Sequence, residues 1–216
     1  MKQYIIRLTG RSPLIMHGQN LDFEEAVSKW QRSPAAKKTP KGDDRHPAFK
    51  WIGYLYHDGE NAVIPTDNLM TTFREGGTMV SSGGKTTFKA QTQSGARVVT
   101  PATLLVGGKP CSVKRILSMC GELDFTAHRK AVSEAGFDLL LKGCKVGMAR
   151  HTRVRPYFAD WSCEFRLDVW DPTLTLEVLQ QVWDNAGAFK GLCDWRPGSP
   201  KSGQYGTFDA EIRLVK

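Results

Sequence analysis

Residues 162–187, SCEFRLDVWDPTLTLEVLQQVWDNAG, carry two periodicities end to end. In the first, Cys163, Phe165, Leu167 and Val169 alternate with Glu164, Arg166 and Asp168, the pattern of a strand in an antiparallel sheet with one face buried. In the second, Leu176, Leu179, Trp183 and Ala186 fall at i, i+3, i+7 and i+10, the stripe of an amphipathic helix, with Asp171 or Thr173 near its N-cap and Gly187 as its stop. The same alternation returns near the C-terminus, where Phe208, Ala210, Ile212 and Leu214 interleave with Asp209, Glu211 and Arg213. Near the N-terminus QYIIRLT (3–9) sets Tyr4, Ile6 and Leu8 on one face of a first strand. In NAVIPTDNLMTTFREGG (61–77) a short extended piece ending at Val63 and Ile64 leads into a helix, with Asp67 as N-cap, Leu69, Met70 and Phe73 as apolar face and Gly76 as stop. Residues 77–110 read as loop with room for a helix or hairpin.

These elements predict an α+β fold, an antiparallel sheet with helices on one face, of ferredoxin-like type with insertions. The chain reads as a single domain over 1–216. It carries a mobile basic insertion at about 31–50, QRSPAAKKTPKGDDRHPAFK, and a basic arm at about 142–161. The free face of such a sheet is the one that RNA-recognition domains use.

Charge narrows the function. Thirty Lys and Arg against 22 Asp and Glu give +8, unevenly spread. Between Glu75 and Glu122 there is no acid, while Lys85, Lys89, Arg97, Lys109, Lys114 and Arg115 are basic; between Asp138 and Asp160 the same holds for Lys142, Lys145, Arg150, Arg153 and Arg155. Solubility alone does not require carboxylates to be kept out, so these stretches point to a polyanion. The arm interleaves Lys145, Arg150, Arg153 and Arg155 with Met148, Tyr157, Phe158 and Trp161, cations for a phosphate backbone and flat side chains for bases. No apolar run reaches the roughly 20 residues of a membrane helix, and the opening MKQYIIRLTGRSP lacks a signal-peptide core, so the expected compartment is the cytoplasm.

Other chemistry finds little support. Gly84-Lys85-Thr86 has the end of a P-loop, but Met79 stands where its first glycine belongs. Lys85 and Lys89 are left as phosphate contacts. Five cysteines (Cys111, Cys120, Cys144, Cys163, Cys193) without a C-x-x-C pair read as reduced, mostly core thiols. No carboxylate cluster suggests a metal-dependent nuclease, and neither metal nor cofactor is expected. Of five histidines (His17, His46, His57, His128, His151), His17 in SPLIMHG is the best candidate for a general acid or base. The loop GSPKSGQYGTF (198–208) offers Gly198, Gly203 and Gly206, which let the backbone approach a phosphate and expose N–H groups, with Lys201 as a cation and Tyr205 to stack.

That loop and its flanks, FKGLCDWRPGSPKSGQYGTFDAEI (189–212), resemble the C-terminal glycine-rich signature of the RAMP superfamily, the RNA-binding subunits and processing enzymes of CRISPR systems. The matching positions are Gly191, Gly198, Lys201, Gly203, Gly206 and Phe208, and the first strand running into SPLIMH is similar to that family's opening. Trp195 and Pro197 interrupt the glycine spacing, and the chain is short for a two-domain member; it is similar to compact, phage-encoded members. The resemblance implies a modified RNA-recognition fold holding a single strand, often with neighbouring subunits in a filament. Three functions follow as expectations. The first is a non-enzymatic single-stranded RNA- or DNA-binding protein, homo-oligomeric or a subunit of a nucleoprotein complex. The second is a metal-independent CRISPR-type endoribonuclease using His17 as general acid or base, with Lys201 or a neighbouring cation stabilising the phosphorane. The third is an interaction protein or inhibitor acting on a host nucleic-acid complex.

Overall fold

The computed structural model describes residues 1–40 and 42–215. Along the first half run β1 (Lys2–Gly10), β2 (Leu14–Ile15), α1 (Leu21–Gln31), β3 (Val63–Ile64), α2 (Thr66–Gly77), β4 (Ser81–Gly83), β5 (Thr86–Thr87), α3 (Lys89–Ser94), β6 (Ala96–Val98) and β7 (Ala102–Val106). The second half adds β8 (Lys109–Pro110), α4 (Lys114–Leu117), α5 (Phe125–Glu134), β9 (Asp138–Val146), β10 (Ala149–Phe158), β11 (Ser162–Val169), α6 (Leu176–Asn185) and β12 (Phe208–Leu214). The fold is α+β, with antiparallel sheets and helices. Two compact units form: residues 1–14, 63–110 and 160–216 make one, residues 15–62 and 111–159 the other.

In the first unit the sheet order is β12-β1-β11-β7-β3, with β6 also paired to β11 and β8 to β7. Register decides its core. Antiparallel pairing sets Tyr4 opposite Leu167, Ile6 opposite Phe165 and Leu8 opposite Cys163, and all six side chains are buried. Onto this layer comes Trp183 of α6, fully buried, stacked on Phe73 of α2 at 5.2 Å and edge-on to Phe165 at 5.5 Å. Burying a side chain of this size is worth about 3 kcal/mol. The helices meet at Gly76, where any Cβ would overlap the carbonyl oxygen of Val182, so glycine is required by closeness.

Several local expectations shift. The helix 176–185 is capped by Thr175, whose hydroxyl accepts from the Val178 N–H at 3.4 Å; Asp171 instead takes the Thr173 N–H and hydroxyl in a preceding turn. Leu176 therefore opens the helix and is 42% exposed, outside the apolar stripe to which its spacing assigned it. Pro65 precedes α2, which places Asp67 in the first turn rather than at the cap, and the helix runs one residue past Gly76. The 77–110 stretch holds the β4–β5 hairpin, α3, β6, β7 and β8.

In the second unit the sheet order is β2-β10-β9, with β9 and β10 forming a long hairpin. Residues 48–54 form a 3-10 stretch that buries Phe49, Trp51 and Ile52. Trp51 meets Phe137 at 6.2 Å, and Phe137 stacks on Phe158 at 4.7 Å. Residues 31–50, expected as a structureless insertion, contain a 3-10 turn at Ala36–Lys38 and attach to β10: Thr152 N–H donates to Gly42 and Asp44 N–H to Thr152, both at 2.9 Å. Asp43, Asp44, Ala48 and Phe49 of that stretch are buried. Lys41, within it, lies outside the described residues. Among the described residues no helix is long and apolar enough to cross a membrane.

Candidate nucleic-acid interface

A hairpin places residues opposite one another, and β9–β10 sets Lys145 opposite Arg150 and Lys142 opposite Arg153. Like charges directly across a ladder destabilise it; Arg153 of the second pair is met by Asp44 at 3.1 Å, which leaves the Lys145–Arg150 pair as the expense the fold keeps. Lys145 and Arg150 are exposed, and among the described residues neither makes an ion pair. Met148, at the turn between them, is 94% exposed.

At the base of the hairpin the cations converge on one buried carboxylate. Asp44, 1% exposed, accepts from Lys50 Nζ at 2.6 Å and Arg153 Nη1 at 3.1 Å, and its second oxygen lies 3.5 Å from Arg155 Nη1. Three cations on one carboxylate leave an excess of positive charge that the fold holds in place. Arg155 is also fixed from other sides: its guanidinium lies 4.2 Å over the Tyr54 ring, Nη1 donates to the Val154 carbonyl at 3.0 Å, and Nη2 lies 3.3 Å from His17 Nε2. Arginine only donates, so that hydrogen bond makes Nε2 the acceptor and puts the imidazole proton on Nδ1. Next door, Asp43 is gripped by Arg45, whose side-chain hydrogen bonds (2.6 and 3.0 Å) hold the carboxyl below its ordinary range against the opposing effect of burial.

The residues singled out from the sequence therefore divide between the units. Lys145, Arg150, Arg153, Arg155, Tyr157 and Phe158 belong to the second. Phe158 is fully buried and stacked on Phe137, so it offers no face to a base; its place in the alternation of β10 puts it in the core. Tyr157, on the opposite face, is half-buried. Asp44, Lys50 and Tyr54 are functional candidates that sequence reading missed, although Asp43 and Asp44 are the only carboxylates in a strongly basic 31–57 stretch.

In the first unit, Lys85 stands exposed at the tip of the β4–β5 hairpin and Lys89 opens α3. Arg97 is exposed but sits opposite Asp168 in the ladder. The 198–208 loop departs from its expected role. The N–H of Gly198 donates to Lys190 (2.9 Å), that of Gly203 to Arg196 (3.1 Å) and that of Gly206 to Pro13 (2.8 Å), so none is left to cradle a phosphate. A Cβ at Gly203 would overlap the Trp195 carbonyl and one at Gly206 the Leu192 carbonyl, and Gly206 also has φ +70°. These glycines close the loop upon itself. Arg196 ties it to α2 through Glu75 at 2.6 and 2.9 Å, and Tyr205 lies against Trp195 at 5.7 Å. Lys201 is exposed on its surface.

The five cysteines are free; burial pushes Cys111 up to about 11 and Cys193 up to about 12, which keeps both as thiols at neutral pH. Among the described residues no three His, Cys, Asp or Glu side chains converge to hold a metal ion. No protein-family model matches the chain, and no curated protein matches it.

Proposed function

We propose that this protein binds single-stranded nucleic acid, RNA or DNA, chiefly through the phosphate backbone and without catalysis. The observation that carries the reading is the β9–β10 hairpin: the exposed like-charged Lys145–Arg150 cross-strand pair, no acid between Asp138 and Asp160, and an anchored cation cluster at its base. A phosphate between Lys145 and Arg150 relieves the repulsion of that pair. The RAMP-like resemblance belongs to the same proposal. Taking β1, β7, β11 and β12 as the four core strands, the sheet order is fourth, first, third, second, with α2 and α6 in the two crossovers, an arrangement that supports a ferredoxin-like reading of the first unit.

Lys145→Glu separates binding from folding. It converts the Lys145–Arg150 opposition into an ion pair, so the hairpin keeps its stability or gains about 0.2–1 kcal/mol. Binding to single strands weakens, and because each neutralised phosphate contributes about −0.7 to the slope of log K against log salt, the slope loses about 0.7. Fluorescence anisotropy over a salt series, with thermal unfolding beside it, reads both. Wild-type affinity that does not respond to salt overturns the proposal.

A further inference from the structure

Helix α1 buries no residue, although it is 11 residues long and its sequence carries a Phe23–Val27 apolar pair. It touches the 3-10 stretch 48–54 where Phe23 sits against Gly53; a Cβ at Gly53 would come within 3.1 Å of Phe23 Cβ. Between the two segments lies an open groove of about 230 Å³. Its apolar walls are Phe23, Val27 and Tyr54. Along the same side of α1, at i, i+4 and i+7, stand Glu24, Ser28 and Gln31, and Lys50 also lines the groove.

A groove-facing helix side usually carries an apolar stripe; this one carries a carboxylate, a hydroxyl and an amide beside apolar walls. The volume is below the roughly 300–1,000 Å³ of pockets for drug-sized ligands, so it suits one flat ring system. Lys50 also makes the 2.6 Å contact to Asp44, which joins the groove directly to the cluster of Arg153 and Arg155. Positive charge beside a flat, mixed groove fits a nucleotide, phosphate outside and base within. The carboxylate selects further, because it only accepts hydrogen bonds and the exocyclic amine of a base supplies donors.

We infer that the groove between α1 and residues 48–54 holds one base of the bound strand, turned out of the stack, and favours a base with an exocyclic amine, read by Glu24. This rests on the nucleic-acid-binding reading and adds one base-selective position to backbone contacts that are otherwise indifferent to sequence.

The test compares oligo-dC, oligo-dT and an abasic strand of equal length by anisotropy. Oligo-dC binds about tenfold tighter than oligo-dT, the size of one good polar base contact, and tighter still than the abasic strand. Glu24→Gln abolishes the dC preference while leaving the salt slope in place, and Val27→Trp, which fills the groove, brings all three strands to the abasic affinity. Should Val27→Trp fail to fold by circular dichroism, Glu24→Gln alone decides. Equal, salt-dependent binding of all three strands by the wild type overturns the groove and leaves the backbone reading standing. Equal affinity for dC and dT above the abasic strand overturns the amine selectivity. No binding of any strand removes both readings.

Discussion

His57 shows how one side chain links local geometry to the behaviour of its unit. Its Nδ1 accepts the Gly59 N–H at 3.2 Å, the Asn20 amide lies 3.3 Å from Nε2, and burial pushes its pKa down, with Asp58 opposing. A base whose folded value lies below its unfolded one holds fewer protons in the native state. Stability is therefore complete above the unfolded value near 6.5 and falls as pH drops through it, levelling off below the folded value. The urea midpoint is expected to fall between pH 7.5 and the acid side of about 6.5, and His57→Gln to flatten that fall. A variant that keeps the full pH response assigns it to another group. Asp44 is the other telling residue: a carboxylate buried at 1% exposure is stable only because cations surround it, and it organises the cluster on which the proposed function depends.

Among the elements, the glycine-rich loop and the β9–β10 hairpin exchange the weights that their sequences suggest. Glycine-rich composition marks a backbone free to approach something, and here it approaches itself: Gly203 and Gly206 lie against the Trp195 and Leu192 carbonyls. Gly206→Ala is expected to destabilise the first unit by about 1–3 kcal/mol from the left-handed backbone alone, with more from the overlap, as thermal unfolding would show. Lys201→Ala leaves stability unchanged. Equal stability of Gly206→Ala and the wild type would return the loop to the role of an open cradle. The hairpin, by contrast, sets exposed Lys145 opposite exposed Arg150, a local cost that a bound phosphate would relieve under the proposed function.

For the whole molecule, eleven cations lie in the two acid-free stretches, but they divide between units, and the salt response follows only those that a strand neutralises together. If neighbouring molecules assemble along a strand, as the RAMP-like proposal holds, affinity per site rises with strand length. Anisotropy on strands of increasing length measures this, and a length-independent affinity per site excludes the filament while leaving binding intact.

Period-two and period-3.6 patterns placed β1, β11, β12 and α2 in advance to within a residue or two, since each follows from burying one face of a regular element; α6 was found with its cap at Thr175 instead of Asp171 or Thr173, and a π-helical turn at Ala186–Lys190 carries helical geometry past Gly187, the expected stop. The same patterning fixed the α+β class, and the missing carboxylates marked the basic arm. Three-dimensional proximity decided the rest. Asp44 lies 109 residues before Arg153, the N–H of Gly206 finds its acceptor at Pro13, and Phe158 is claimed by Phe137 rather than left for a base. A linear sequence states which groups can accept, donate or stack; only the tertiary fold determines which of them have already found a partner within the chain.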